Sequence, residues 1–210
     1  MASGNLQPKN KIIYFITLFL ILGTFVSCER EANAPSGEFK VFNIPENLSN
    51  GDLVFRKGTD LISRCVLSQG ESPRFSHVGV IVLSGSGVFV VHSLPGGTKS
   101  VNGVQMEPLS SFISSENASE VAFYRAVGVN KRSRADIRKY LLKQIGKPFD
   151  EKFQLSDDSR MYCSELVVKA FRNAGMNIFE KLPTIKVMLV DEPVLPPGYL
   201  CRSYHLRVIN

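Results

Sequence analysis

The sequence predicts an α+β fold in which an antiparallel sheet packs on a helix that opens with a cysteine. Three observations carry this. Short β-prone apolar stretches separated by glycine turns recur between residues 53 and 127. After Tyr162-Cys163-Ser164-Glu165, the residues Leu166, Val167, Ala170, Phe171 and Ala174 follow at helical spacing, and Gly175 stands where a left-handed C-cap belongs. At 210 residues and 44% hydrophobic content, the chain can bury one globular core and still carry an extension.

Taken in order, the domain opens near Asn50-Gly51-Asp52, and Leu53-Val54-Phe55 reads as a short strand turning at Lys57-Gly58. Thr59 is placed to N-cap a helix whose apolar face is Leu61, Ile62, Cys65 and Val66, ended by Gly70 to Pro73. His77 to Leu83 is a buried strand, Gly85-Ser86-Gly87 a tight turn, and Val88 to His92 the antiparallel partner. This hairpin carries one histidine at each outer end. Val101 to Met106 and Val121 to Val127 are further strands, with a helical turn at Leu109 to Ile113. Ser133 is a plausible cap for a helix marked by Ile137, Leu141, Leu142 and Ile145, stopping at Gly146 before Pro148. A polar loop leads through Arg160 to the cysteine helix. The remainder, with Pro183, Pro193, Pro196 and Pro197, predicts an irregular wrap before a closing strand at Tyr204 to Ile209.

The N-terminus differs from the rest. Lys9 and Lys11 precede an apolar run from Ile12 to Val26, and these 15 residues are short for a membrane span, which needs about 20, but suit an export signal. Residues 1–27 are therefore read as a signal peptide, 28–45 as a tether and 46–210 as the folded domain. Phe25-Val26-Ser27-Cys28 resembles the bacterial lipobox, which implies acylation of Cys28, a membrane anchor and a place in the bacterial cell envelope. Phe25 departs from the usual leucine, so cleavage near Ser27 and an uncleaved anchor remain alternatives. Removing Lys9 and Lys11 leaves 23 basic against 19 acidic residues, a charge of +4 in place of +6. That balance is mild, and with no basic run interleaved with aromatics it argues against a nucleic-acid partner.

Four cysteines without a C-x-x-C pair and three scattered histidines offer no metal spacing, and no cofactor is expected. Cys65 and Cys201 could pair in an oxidising compartment and leave Cys163 free. Cys163 belongs to the first turn of its helix, where unpaired N–H groups and the helix dipole favour a thiolate and can hold an oxyanion. His77 begins a strand, a rigid place from which an imidazole can act as base toward that thiol, and His92 can reach His77 across the hairpin to orient it. Tyr162, Asp52 and Ser76 are the candidates for contacting substrate, with a cap for Asp52 and a packing role for Tyr162 as the structural alternatives. Cys201 and His205 form a rival pair without a helix N-terminus.

These pieces resemble a family. Gly51-Asp52-Leu53-Val54-Phe55, Ser76-His77-Val78-Gly79-Val80, Gly146-Lys147-Pro148-Phe149-Asp150 with Phe153, and Tyr162-Cys163-Ser164-Glu165-Leu166-Val167 look like the permuted papain-like amidases of the YaeF/YiiX group, relatives of the NlpC-type cell-wall peptidases and of lecithin:retinol acyltransferase. The resemblance implies a circularly permuted papain-like fold, Cys163 as nucleophile, His77 as general base and a third member that varies among relatives. His92 lies where that member is expected. The implied activity is a thiol hydrolase cutting an amide through a thioester, on a small peptide or cell-wall fragment. Acyl transfer on a lipid substrate and a non-catalytic envelope-binding lipoprotein are the rival readings.

Overall fold

The structure is a computed structural model that describes residues 41–68, 73–96, 102–179, 184–187 and 190–210. The signal-peptide, tether and lipidation readings, Cys28 included, lie outside these residues, save the last few positions of the tether. Among the described residues no helix is long and apolar enough to cross a membrane.

Six strands form one antiparallel sheet: β1 Leu53–Gly58, β2 His77–Ser84, β3 Gly87–Leu94, β4 Gly103–Pro108, β5 Ala118–Ala126 and β6 Leu206–Ile209, in the order β4-β3-β2-β1-β5-β6. Among the described residues five helices accompany it: α1 Leu61–Leu67, α2 Leu109–Phe112, α3 Lys131–Gln144, α4 Cys163–Asn173 and α5 Pro197–Leu200. Successive side chains of a strand point to opposite faces, and here each face has its own core. Leu53, Phe55, Val78, Val80, Val91, Val104 and Tyr124 pack against Ile137 and Leu141 of α3 and Leu166, Val167 and Phe171 of α4. On the other face, Val54, Ile81, Val90 and Phe123 pack under Leu109 and Phe112 of α2.

The predicted elements are present with shifted ends. β1 continues through Lys57 and Gly58, where a turn was expected, because both pair with β5. Asp60, rather than Thr59, caps α1 by accepting from the Ser63 N–H at 2.8 Å. Asn130, rather than Ser133, caps α3, and Ser133 is the residue whose N–H it accepts. Gly175 has φ +74°; its N–H reaches Arg172 O, and the Met176 N–H reaches Phe171 O, the double bond of a Schellman stop. The apolar face expected of α1 is exposed instead, with Leu61 65% and Ile62 55% accessible. The C-terminal wrap contains the short α5 and a bridge between Ile185 and Val194, neither of which was expected. Cys65, Cys163 and Cys201 are all free thiols, so the Cys65–Cys201 pairing is not formed.

Candidate active site

The site forms where the sheet parts. The β2–β3 ladder runs from Ser84/Gly87 to Val80/Val91 and no further, whereas β2 stays paired with β1 as far as His77 and β3 with β4 as far as Leu94. The start of α4 is seated at this opening. Ser93 of β3 donates its hydroxyl to Met161 O at 2.6 Å, and the Val78 N–H of β2 favours the ionised form of the Cys163 thiol. Glu165 Oε2 accepts from the Tyr162 N–H at 3.1 Å, satisfying one of the donors that a helix start leaves bare.

His77 lies on the α2 face of the sheet, opposite Val78. Its Nε2 is 2.9 Å from His92 Nδ1, and His92 Nε2 is 2.8 Å from Glu107 Oε1. Gln105, cross-strand from His92, brings its amide to 3.3 Å of the same Nε2. Phe112 of α2 covers the group, its ring centroid 5.5 Å from His77 and 5.1 Å from His92. Gly79 leaves room beside the base of the His92 side chain. A Cβ there would lie 3.2 Å from His92 Cβ and 2.3 Å from a Val90 methyl.

This chain of contacts fixes tautomers. With the Glu107 carboxylate accepting from His92 Nε2–H, Nδ1 of His92 is an acceptor and takes the proton of His77 Nε2. The lone pair then remaining on His77 is on Nδ1. Arg56, cross-strand from His77, stacks its guanidinium 4.5 Å from the Phe112 centroid and donates from Nη1 to Phe112 O at 2.8 Å.

Burial holds His77 well below the usual imidazole range, and the Arg56 charge and His92 push it the same way. His92 is lowered by burial, against the pull of Glu107. The thiol of Cys163 is pushed up by burial, more than the Ser164 hydroxyl and the N–H groups of Val78, Ser164 and Cys163 itself pull it down. The helix start was expected to favour the thiolate; with Cys163 only 9% exposed, desolvation wins, and thiol and imidazole both rest neutral. Among the described residues the thiol's side-chain neighbour is Ser164 Oγ at 3.9 Å, and no hydrogen bond joins it to His77. Catalytic hydrogen bonds are often loose in a free enzyme and tighten with substrate.

The remaining candidates fall elsewhere. Asp52 is fully buried and bound by Arg125 at 2.7 and 2.8 Å, by Arg134 at 3.4 Å and by the Ser49 N–H at 2.7 Å. It stands just before β1, four positions from Arg56 and roughly 13 Å away at strand rise, and in this structure it anchors the fold. Ser76 is buried, with its hydroxyl accepting from the Gly58 N–H at 2.8 Å, which ties β1 to the entry of β2. Tyr162 is 2% exposed, its ring edge-on to Phe153 at 5.3 Å, so it packs under the helix start. In the rival pair, Cys201 bonds Gly198 O and His205 stacks on Tyr204. Sequence reasoning missed Arg56 and Glu107, whose only trace was a charged residue inside a β-prone stretch.

The whole-domain comparison agrees with this architecture. Residues 47–209 match the model of the permuted papain-like amidase enzymes, YaeF/YiiX, C92 family. The uncharacterised protein YiiX of Escherichia coli K12 is 27% identical over 133 residues, which span 62% of this chain and 61% of YiiX. The crystal structure of the metalloprotein YiiX from Escherichia coli O157:H7 superposes with a TM-score of 0.63 at 21% identity, over 77% of this chain and 96% of that one, a likeness of fold. Among the described residues no group of three His, Cys, Asp or Glu side chains is placed to hold a metal, and His77, His92 and Glu107 are spent on one another. The chain belongs to the permuted papain-like amidase family of the YaeF/YiiX, C92 type.

Proposed function

We propose that this protein is a thiol hydrolase that cuts an amide through a Cys163 thioester, with His77 as base, His92 orienting His77, and Glu107 setting the tautomer of both. The family supports a cysteine amidase in general terms. The observation that supports the finer reading is the run His77–His92–Glu107, whose first member neighbours Val78, the residue whose N–H pulls the Cys163 thiol down. In the reaction the Sγ proton passes to His77 Nδ1 as sulfur attacks the carbonyl. The oxyanion is held by the Cys163 N–H at the start of α4. His77 then protonates the leaving amine, and the same ring later deprotonates the water that opens the thioester and restores the thiol.

We further propose that the protein is exported and held at the bacterial envelope through Cys28, where peptide fragments of the cell wall are the nearest amides. The test exposes peptidoglycan fragments and lipid extracts to wild type, Cys163→Ala and His77→Ala, with mass spectrometry of the products. Amide cleavage by wild type, absent with Cys163→Ala and reduced by roughly 10³-fold with His77→Ala, is the expected result. Acyl transfer between lipids would move the reading to the other chemistry, and cleavage that survives Cys163→Ala would end it.

A further inference from the structure

Among the described residues, Arg56 has no ionic partner in the site. Arg56 is 6% exposed, and Nη1 spends its hydrogen bond on Phe112 O. Its Nε–H is buried with no acceptor, and among the described residues no carboxylate pairs with the guanidinium. Glu107 and Asp60 act on it only at longer range, and so does the Cys163 sulfur. A buried unpaired charge is costly, and so is a buried N–H left without an acceptor. The edge left unused, Nε–H with Nη2, is the side of a guanidinium that matches a carboxylate with two parallel bonds.

We propose that Arg56 is a carboxylate-binding residue and that the substrate is an amide carrying a carboxylate close to the scissile carbonyl. This rests on the hydrolase reading of Cys163. Strand pairing gives the geometry: Arg56 lies directly across from His77 on the α2 face, so an anion on its unused edge sits beside the base. Binding there would supply the missing counter-charge without disturbing the Phe112 contact. A lipid acyl chain offers nothing for this edge.

The experiment compares alkylation by iodoacetate and iodoacetamide, which differ by the carboxylate, at Cys163 and at the exposed Cys65 of the same molecule, read by peptide mass spectrometry. The iodoacetate-to-iodoacetamide rate ratio should be about tenfold higher at Cys163 than at Cys65, should fall to the Cys65 value in Arg56→Gln, and should shrink in high salt. Equal ratios at the two cysteines of wild type, or an unchanged ratio in a folded Arg56→Gln variant, overturn the assignment. Should Arg56→Gln not fold, wild type decides alone: N-acetylglycine should protect Cys163 from iodoacetamide at concentrations where N-acetylglycinamide does not, and equal protection overturns it. A His77→Ala arm separates this from the parent reading. If alkylation of Cys163 is indifferent to His77, the Cys–His hydrolase fails whatever the ratio. If it depends on His77 and the ratios are equal, only the carboxylate assignment fails.

Discussion

Two buried charges, one just before β1 and one within it, are treated in opposite ways. Asp52, at one end of β1, has Arg125, Arg134 and the Ser49 N–H on its oxygens. Arg56, at the other end, has one carbonyl, one aromatic face and an unused N–H. The saturated charge fastens β5 and α3 to the sheet and has nothing left to offer a ligand. The unsaturated one lies beside His77, where a cost in stability can be returned on binding. Completeness of pairing, rather than burial or charge, separates the two ends.

The sharpest way to break this contrast is to exchange the two charges for neutral groups. Asp52→Ala strands two cations that are about a quarter exposed, so a loss of about 3 kcal/mol is expected, roughly 6–12 °C in Tm by calorimetry, with unchanged turnover per folded molecule. Arg56→Met should shift stability by less than about 1 kcal/mol, because an unpaired cation is replaced by a side chain of similar length. Equal damage from both substitutions would make Arg56 a structural clamp for α2. Next in size is Glu107→Gln. Without the carboxylate the proton on His92 is no longer assigned to Nε2, and kcat/KM should fall about 10- to 100-fold with little change in Tm.

Acid dependence sharpens the contrast further. His77 is depressed below 6.5 by burial and by the Arg56 charge, so it stays a neutral base at lower pH than a free imidazole and the acid limb of kcat/KM should lie below pH 6.5. The unfolded chain binds the proton first, so this group adds stability that is present above pH 6.5 and lost as pH falls through the folded value. Arg56→Met removes one of the causes and should move the limb upward. The smallest effect concerns Glu165, buried at the start of α4, 2.7 Å from Lys169 and pushed up to about 7 by burial. Here the folded state holds the proton more tightly, so stability falls as pH rises from 4.5 to about 7. Glu165→Gln should flatten that slope in urea titrations across the interval.

What could be read in the sequence was local or of short range. The cysteine helix declared itself by its apolar spacing and by Gly175, and the hairpin by its glycine turn, which set His92 within reach of His77 although Gly87 belongs to β3 and the turn itself is only Gly85-Ser86. The elements stood within a few residues of their predicted ends, and the misplaced caps at Thr59 and Ser133 were each near a better oxygen. Arg56 and Glu107 were illegible for a physical reason. Their meaning depends on β1 lying beside β2 and β4 beside β3, pairings that no spacing within either strand encodes. The exposed side of α1 failed on the same account, since periodicity says which residues share a face but not whether anything covers it. The thiol was misjudged because the helix start is visible in sequence while the desolvation that opposes it is not.

Gly79 carries a consequence of its own. Most positions of β2 need only some apolar group of fitting bulk, and drift among valine, isoleucine and leucine would be repaired by small adjustments around them. At Gly79 even one methyl would collide with Val90 and crowd the His92 Cβ and the Phe112 ring. The least conspicuous residue of the strand is thus the one with the fewest acceptable replacements, and a descendant could lose its chemistry there while keeping its shape intact.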